Sequence, residues 1–157
     1  MNTLNNLKKA CKYQSLHGTY TPINTAKYKG KGLPQFKSKL ELKMMSYLDK
    51  STAVLEWSYE PFAIKYEDKS VLDEKKKGII RRYYVDFTAT IKNGPVVKRY
   101  WIEVKSINEI SLSNKAKKNI NESNTYIKNM SKWIVAKKLA FRDGIKILGC
   151  RYCMISF

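Results

Sequence analysis

Two acidic residues and a lysine lie in segments that could form neighbouring β-strands. Residues 83–91 and 96–105 are rich in β-branched and aromatic side chains, and Asn93-Gly94 lies between them. An Asn-Gly pair between two such segments favours the tight turn of a β-hairpin. We therefore predict an antiparallel pair of strands. The residues on these strands that could do chemistry are Asp86, Glu103 and Lys105.

The length of the loop decides whether these three side chains share a face. With two or four residues in the loop, the predicted pairs are Ile91 with Val96, Asp86 with Trp101, and Tyr84 with Glu103. The acids and the lysine then project from one face, and the other face carries Val85, Phe87, Ile102 and Val104. Asp86 and Glu103 would be diagonal neighbours with Cβ atoms roughly 7 Å apart or less, which is close enough to share a divalent cation. A loop of three residues would place them on opposite faces.

Two carboxylates and a lysine are the groups that a metal-dependent phosphodiesterase needs. Carboxylate oxygens bind Mg²⁺ or Mn²⁺, which lowers the pKa of a bound water and offsets negative charge on the phosphorane. Lys105 would orient or help to activate that water and stabilise the developing charge. The backbone carbonyl of Val104 could add another oxygen ligand. The pattern Asp…Glu-x-Lys also occurs by chance in many strands, so alone it is weak evidence.

The composition favours a nucleic-acid partner. The 157 residues predict one domain, and 31 Lys and Arg against 13 Asp and Glu give a net charge of +18. Such a charge favours a polyanion, with nucleic acid first and an anionic membrane surface second. No apolar run approaches the roughly 20 residues of a membrane span, and no signal-peptide core is found. We expect a soluble protein that is made and kept in a cytoplasm.

The chain divides into a basic N-terminal segment and one further domain. Residues 1–34 contain six lysines and no acid, which predicts a basic arm or wrapping segment, with a solvated tail equally favoured for residues 1–20. Residues 35–157 are predicted to form a single domain. Three cysteines, Cys11, Cys150 and Cys153, are expected to be reduced thiols, since a zinc site with His17 lacks a second close-spaced ligand pair.

Periodicity predicts two helices around a set of strands. Apolar residues at helical spacing predict a helix from Phe36 to Lys50, with Glu41 at the margin of its apolar stripe. Strands are predicted at Val54–Tyr59 and Phe62–Tyr66, and residues 67–78 as an exposed charged connection. This order predicts an α/β or α+β domain with a mixed sheet.

The second helix is predicted to end at Asp143-Gly144, in a left-handed cap, before a strand within residues 145–157. Its predicted apolar stripe comprises Tyr126, Ile127, Met130, Trp133, Ile134, Ala140 and Phe141. The opposite, basic face carries Lys128, Lys132, Lys138 and Arg142. This face is predicted to contact DNA phosphates, and a solvated basic face is an equal alternative. Residues 106–123 allow no firm assignment.

Four motifs, in this order, resemble the TnsA-like branch of the PD-(D/E)xK nucleases, and within it the head-completion nucleases of tailed bacteriophages. They are Tyr28-Lys29-Gly30 with Phe36-Lys37-Ser38-Lys39-Leu40-Glu41; residues 55–66; Arg82-Tyr83-Tyr84-Val85-Asp86-Phe87; and Trp101-Ile102-Glu103-Val104-Lys105-Ser106. The resemblance implies a restriction-endonuclease-like core with a central mixed β-sheet flanked by helices. It also implies that Glu41, on a helix, completes the metal site of Asp86 and Glu103, with Lys105 as the catalytic lysine.

The resemblance further implies a Mg²⁺- or Mn²⁺-dependent DNA endonuclease that acts in phage head completion. Its partners would be double-stranded DNA and phage head or portal proteins. The protein would be found in the host bacterial cytoplasm or associated with the virion. No membrane and no small-molecule cofactor are expected. Lys37 and Ser38 would join the basic helix in binding DNA, although the family often has arginine at position 37 and proline at position 85. The alternatives are a non-catalytic DNA-binding neck protein on the same fold and a transposase-type endonuclease subunit.

Overall fold

The computed structural model describes residues 16–105 and 120–150, which contain eight strands and two helices. The strands are β1 (Gly18–Thr19), β2 (Gln35–Phe36), β3 (Val54–Tyr59), β4 (Ala63–Leu72), β5 (Gly78–Tyr84), β6 (Phe87–Asn93), β7 (Val96–Val104) and β8 (Lys146–Cys150). The helices are α1 (Lys39–Lys50) and α2 (Ile120–Arg142). The expectations for Cys11, Cys153 and residues 106–119 lie outside the described residues.

A four-stranded sheet in the order β3-β6-β7-β8 forms the centre of the fold. Strands β3, β6 and β7 are antiparallel, and β8 is parallel to β7. Strands β4 and β5 form a separate two-stranded ribbon, and β1 pairs with β2. The mixed central sheet with its helices confirms the predicted fold class, which is α+β with a restriction-endonuclease-like core. Neither described helix is long and apolar enough to cross a membrane.

Helix α1 covers one face of the central sheet. It begins at Lys39, later than predicted, because Ser38 is in an extended conformation and its hydroxyl accepts a hydrogen bond from the Glu41 N–H at 3.1 Å. This is the arrangement of an N-cap residue. The buried side chains of α1, Met44, Met45 and Leu48, pack against residues of β3, β6 and β7.

Asp49, near the end of α1, is fully buried and binds the segment of the chain that precedes this helix. Its carboxylate accepts hydrogen bonds from the Tyr20 hydroxyl at 2.9 Å and from the N–H groups of Ile23 and Asn24 at 2.7 and 2.9 Å. Burial raises the pKa of Asp49, but these hydrogen bonds and the charge of Lys27 outweigh it, so that the pKa lies below its ordinary value. Residues 16–34 thus pack on the domain, and the boundary at residue 34 remains a prediction.

The β6–β7 hairpin turns at Gly94-Pro95, and the prediction of a turn at Asn93-Gly94 is wrong, since Asn93 pairs with Val96. Gly94 has a φ of 57°, and the proline ring fixes a negative φ at the next position. This combination suits a type II′ turn, whereas a type I′ turn needs two positive φ angles.

The predicted register is therefore wrong by two residues, because Ile91 pairs with Lys98 and Phe87 with Ile102. The predicted pairs Ile91 with Val96, Asp86 with Trp101, and Tyr84 with Glu103 do not form. A shift of two residues leaves every side chain on its face, since side chains alternate along a strand. Phe87, Ile102 and Val104 share one face as predicted, and this face packs against α1.

The segment predicted as one strand, residues 83–91, is two strands. Tyr84 ends β5 and Phe87 begins β6, and the chain passes from the ribbon to the central sheet at Val85 and Asp86. The predicted face of Val85 is therefore wrong: its side chain packs in the second apolar cluster, beside Trp101 and α2. The N–H of Glu60 donates to the Asp86 carbonyl at 3.0 Å, and this hydrogen bond holds the segment between β5 and β6 in place.

The prediction of an exposed connection at residues 67–78 is wrong in its first half, which continues β4 to Leu72. Asp68 has a relative exposure of only 1%. Its carboxylate accepts a hydrogen bond from the Ser70 N–H at 3.1 Å and lies 3.0 Å from Arg81 Nε on β5. An inward-facing charge with a partner on the adjacent strand can be buried, so charge alone did not indicate exposure.

Helix α2 packs on β4 through small residues. The prediction that its apolar stripe faces the core holds for Ala140 but is wrong for the large residues Ile134 and Phe141. Ala136 and Ala140 are buried, whereas Ile134 is half exposed and Phe141 is 87% exposed. Alanine lets the helix lie close to the ribbon, which larger side chains would prevent. The predicted end is confirmed: Gly144 has a φ of 64°, and the Ile145 N–H donates to the Ala140 carbonyl at 2.7 Å, as in a Schellman cap.

This orientation of α2 predicts opposite effects for two substitutions. Ala136→Leu should lower the free energy of unfolding by about 1–3 kcal/mol, because added volume in a packed interface forces shifts of the backbone. Phe141→Ser should change it by about 0.5 kcal/mol or less, because the ring is exposed. Urea unfolding measures both, and a larger loss from Phe141→Ser than from Ala136→Leu would contradict the orientation.

Candidate active site

The end of β7 and the start of β6 bring the three predicted residues together. Asp86 directly precedes β6, and Glu103 and Lys105 lie at the end of β7. The Val104 N–H donates to Asp86 Oδ2 at 2.7 Å, which holds this carboxylate against β7. Lys105 Nζ lies 3.1 Å from Glu103 Oε1 and 3.7 Å from Asp86 Oδ2. One ammonium group therefore lies beside both carboxylates.

A tyrosine that the sequence analysis did not select fixes the orientation of Glu103. Tyr83, on β5, is buried, and its hydroxyl donates a hydrogen bond to Glu103 Oε2. Burial, followed by the charge of Glu103, raises the pKa of Tyr83, so the hydroxyl stays a donor. Tyr83 stands among other aromatic strand residues in the motif, and nothing in its sequence context distinguished it.

The electrostatics of the two acids suit a cation. Burial and the charge of Glu103 raise the pKa of Asp86 to about 7, although Lys105 and the Val104 N–H act in the opposite direction. Glu103 is 6% exposed, and its Oε1 is buried without a hydrogen bond, although Lys105 lies nearby. Buried anionic oxygens with unused lone pairs are ligands that Mg²⁺ and Mn²⁺ accept. The donor set at Asp86 and Glu103 thus fits a divalent metal ion.

Helix α2 and the ribbon complete a cleft of about 270 Å³ around these acids. Lys132 lies with its Nζ 5.6 Å from the centre of the Tyr83 ring. Burial, and then the charge of Lys105, lowers the pKa of Lys132. The residues that line the cleft are Glu60, Tyr66, Arg81, Arg82, Tyr83, Tyr84, Asp86, Glu103, Lys105, Lys128 and Lys132. Five of the eight charged residues in this lining are basic, namely Arg81, Arg82, Lys105, Lys128 and Lys132. This excess of positive charge favours an anionic ligand.

Four of the six residues predicted to bind DNA lie outside this cleft, namely Lys37 and Ser38 before α1 and Lys138 and Arg142 on α2. Lys138 and Arg142 do not line this cleft and are exposed. The guanidinium of Arg142 pairs with Asp143 at 2.9 Å. Of the four basic residues predicted on α2, only Lys128 and Lys132 thus accompany the acids.

Glu41 has a structural role at the start of α1. Its Oε2 accepts a hydrogen bond from the Lys37 N–H at 2.8 Å, while its own N–H donates to Ser38. The Lys37 ammonium pairs with Glu60, a residue with a φ of 41°, at 2.7 Å. Glu41 is not among the residues that line the cleft, although its charge contributes to the raised pKa of Asp86. Within residues 16–105 and 120–150, no three Asp, Glu, His or Cys side chains are grouped to hold one metal ion.

The sequence that forms this fold and cleft matches a family of endonucleases. Residues 51–147 match the model of the TnsA-like endonuclease N-terminal family, and the chain belongs to that family. The matched segment contains Asp86, Glu103 and Lys105. The chain is also 31% identical over 138 residues to the head completion nuclease of Enterobacteria phage T4, with 82% of this chain and 86% of that protein covered. The resemblance that the motifs indicated is thereby confirmed.

Proposed function

We propose that this protein is a metal-dependent DNA endonuclease that acts in the completion of a bacteriophage head. The observation that carries the proposal is the convergence of Asp86, Glu103 and Lys105 in one basic cleft, in a chain of an endonuclease family. The role in head completion is supported by the similarity to the nuclease of phage T4. The protein would work in the host bacterial cytoplasm, with double-stranded DNA and with phage head or portal proteins.

The metal ion would be held by Asp86, Glu103 and the backbone carbonyl of Val104. When bound, Mg²⁺ or Mn²⁺ supplies a more acidic water and positive charge beside the phosphate. Lys105, next to both carboxylates, would orient that water and stabilise charge on the phosphate oxygens. Tyr83 would keep Glu103 in the orientation that presents Oε1 to the ion.

Glu41 would complete this ligand set only if its carboxylate releases its hydrogen bond with the Lys37 N–H and binds the ion instead. Carboxylates at the third position of a helix commonly accept such backbone hydrogen bonds, which contribute modestly to stability. The exchange leaves the Ser38 cap in place, because Ser38 accepts from the Glu41 N–H and not from its side chain.

The DNA backbone would lie along the basic residues near the cleft. Lys128 and Lys132 would contact phosphates next to the cleaved bond, whereas Lys138 and Arg142 would contact more distant phosphates. Lys37 and Ser38 would bind the backbone on the α1 side of Glu60. Contacts to phosphate carry no sequence information, so weak sequence selectivity follows.

Incubation of the purified protein with supercoiled plasmid tests the proposal. Mg²⁺ or Mn²⁺ should produce nicked and linear products, and EDTA should stop their formation, because the carboxylates need the ion to activate water. Agarose gels of a time course measure the rate. Absence of cleavage with both ions, or cleavage that persists in EDTA, would overturn the proposed function.

A further inference from the structure

A second cleft, of about 300 Å³, lies on the central sheet. Its floor consists of two rows that cross the sheet. In the first row Thr90 pairs with Glu56 and with Arg99, and in the second Thr88 pairs with Ser58 and with Trp101. All of these side chains lie on the face opposite α1, because they alternate with the α1-facing residues. The floor is therefore polar, with one aromatic residue at the end nearest the active site.

Strand β7 connects the two clefts. Arg99, Trp101 and Glu103 project from the same face, and a rise of roughly 3.4 Å per residue places Arg99 and Glu103 about 14 Å apart along the strand. The turn between β3 and β4 borders both clefts, with Glu60 in the active-site cleft and Phe62 in the second. A nucleotide bound in the second cleft would thus lie about 14 Å along β7 from the acids.

The side chains of the second cleft suit a nucleotide. The Phe62 ring is 36% exposed and could stack on a base, and it packs on the buried Trp101, with the two ring centroids 5.0 Å apart. Arg99 is exposed on the floor, and Lys29 lines the wall. Aromatic faces beside basic groups bind single strands, because bases stack on the rings while the cations contact phosphates.

The Thr90 hydroxyl donates to Glu56 Oε1 at 2.8 Å, which keeps a carboxylate on the β3 side of the cleft. This negative charge repels phosphate. A bound nucleotide would therefore place its phosphate near Arg99 and its base or sugar over β3. A duplex cannot enter in this way, because its bases are paired and stacked, and a volume of about 300 Å³ is at the lower end of pockets for small ligands.

We propose that the second cleft binds an unpaired nucleotide about 14 Å from the cleaved bond, so that the preferred substrate is DNA in which a single strand leaves a duplex. This inference rests on the proposed function, because it takes the acids of the first cleft as the point of cleavage. It adds a substrate class that the active-site residues alone do not define.

Two DNAs of the same duplex sequence test this, one blunt and one with an unpaired tail, with binding followed by fluorescence anisotropy in EDTA. Wild type should bind the tailed DNA at least roughly 5-fold more tightly, since stacking contributes about 1–3 kcal/mol per base. Phe62→Ser and Arg99→Gln should lose this preference, and Phe62→Tyr should keep it. Phe141→Ser and Lys50→Gln are matched controls, because they remove an exposed ring and an exposed cation elsewhere.

Equal affinity of the wild type for both DNAs would overturn the inference, as would a preference that survives both Phe62→Ser and Arg99→Gln. The plasmid assay separates this failure from that of the proposed function. A protein that cleaves plasmid but shows no tail preference keeps the proposed function and loses the inference. A protein that shows the preference but cleaves neither DNA loses the proposed function and keeps the binding site.

Discussion

Asp86→Asn is expected to lower the rate of DNA cleavage on the order of 10³-fold or more. The amide keeps the shape of the side chain and can still accept the hydrogen bond from the Val104 N–H, but it removes a negative charge from the proposed metal site. Loss of a single preorganised electrostatic group in an active site commonly costs about 10²–10³ in rate, and loss of a metal ligand also weakens binding of the ion.

Single-turnover cleavage of plasmid DNA in saturating Mg²⁺ or Mn²⁺ measures this effect. Glu103→Gln should behave like Asp86→Asn, since the Gln oxygen can still accept from the Tyr83 hydroxyl. Lys50→Gln, at the far end of α1, is the control and should cleave at the wild-type rate. DNA affinity measured in EDTA should remain near that of wild type in both active-site variants. Cleavage by either variant at the wild-type rate would contradict the assigned site.

The same substitution, Asp86→Asn, is expected to stabilise the metal-free fold above about pH 7. Burial and the charge of Glu103 raise the pKa of Asp86 to about 7 in the folded protein, whereas an unfolded chain has an Asp pKa of about 3.9. The folded state therefore holds this proton more tightly than the unfolded state. Stability from the protonated carboxyl is fully present below about pH 4 and is lost as the pH rises through about 7.

The stabilisation by Asp86→Asn should be on the order of 1–4 kcal/mol near pH 8, since each unit of pKa corresponds to about 1.4 kcal/mol, and smaller near pH 5. Urea unfolding in EDTA at both pH values measures the difference from wild type. Lys50→Gln again serves as the control and should show no such dependence on pH. A variant that is less stable than wild type near pH 8, or equally stabilised at both values, would contradict the raised pKa.

The active-site face could be predicted because side-chain alternation survives an error of two residues in register. The turn could not be located from Asn93-Gly94, because Gly94-Pro95 offers a competing turn at the next position. The break at Val85 and Asp86 also gave no local signal, since the residues on both sides favour strands. It depends on pairing of β5 with β4, which is a tertiary interaction.

The orientation of α2 was missed because hydrophobicity was taken as the measure of the buried face. Here steric fit decides, and Ala136 and Ala140 face β4 while Phe141 does not. This rotation turns Lys128 and Lys132 towards the acids and leaves Lys138 and Arg142 outside the cleft. Tyr83 was missed for a different reason, since its partner Glu103 is 20 residues away in the chain.

Arg99, Trp101 and Glu103 lie on one uninterrupted strand, which restricts where β7 can accept insertions and deletions. Their separation is set by covalent geometry, and repacking of the core or sliding of β6 against β7 leaves it unaltered. Insertion of one residue between Trp101 and Glu103 would instead reverse the side on which one of them projects. Changes in the length of β7 are therefore tolerated at the hairpin tip near Val96 far better than between the two clefts.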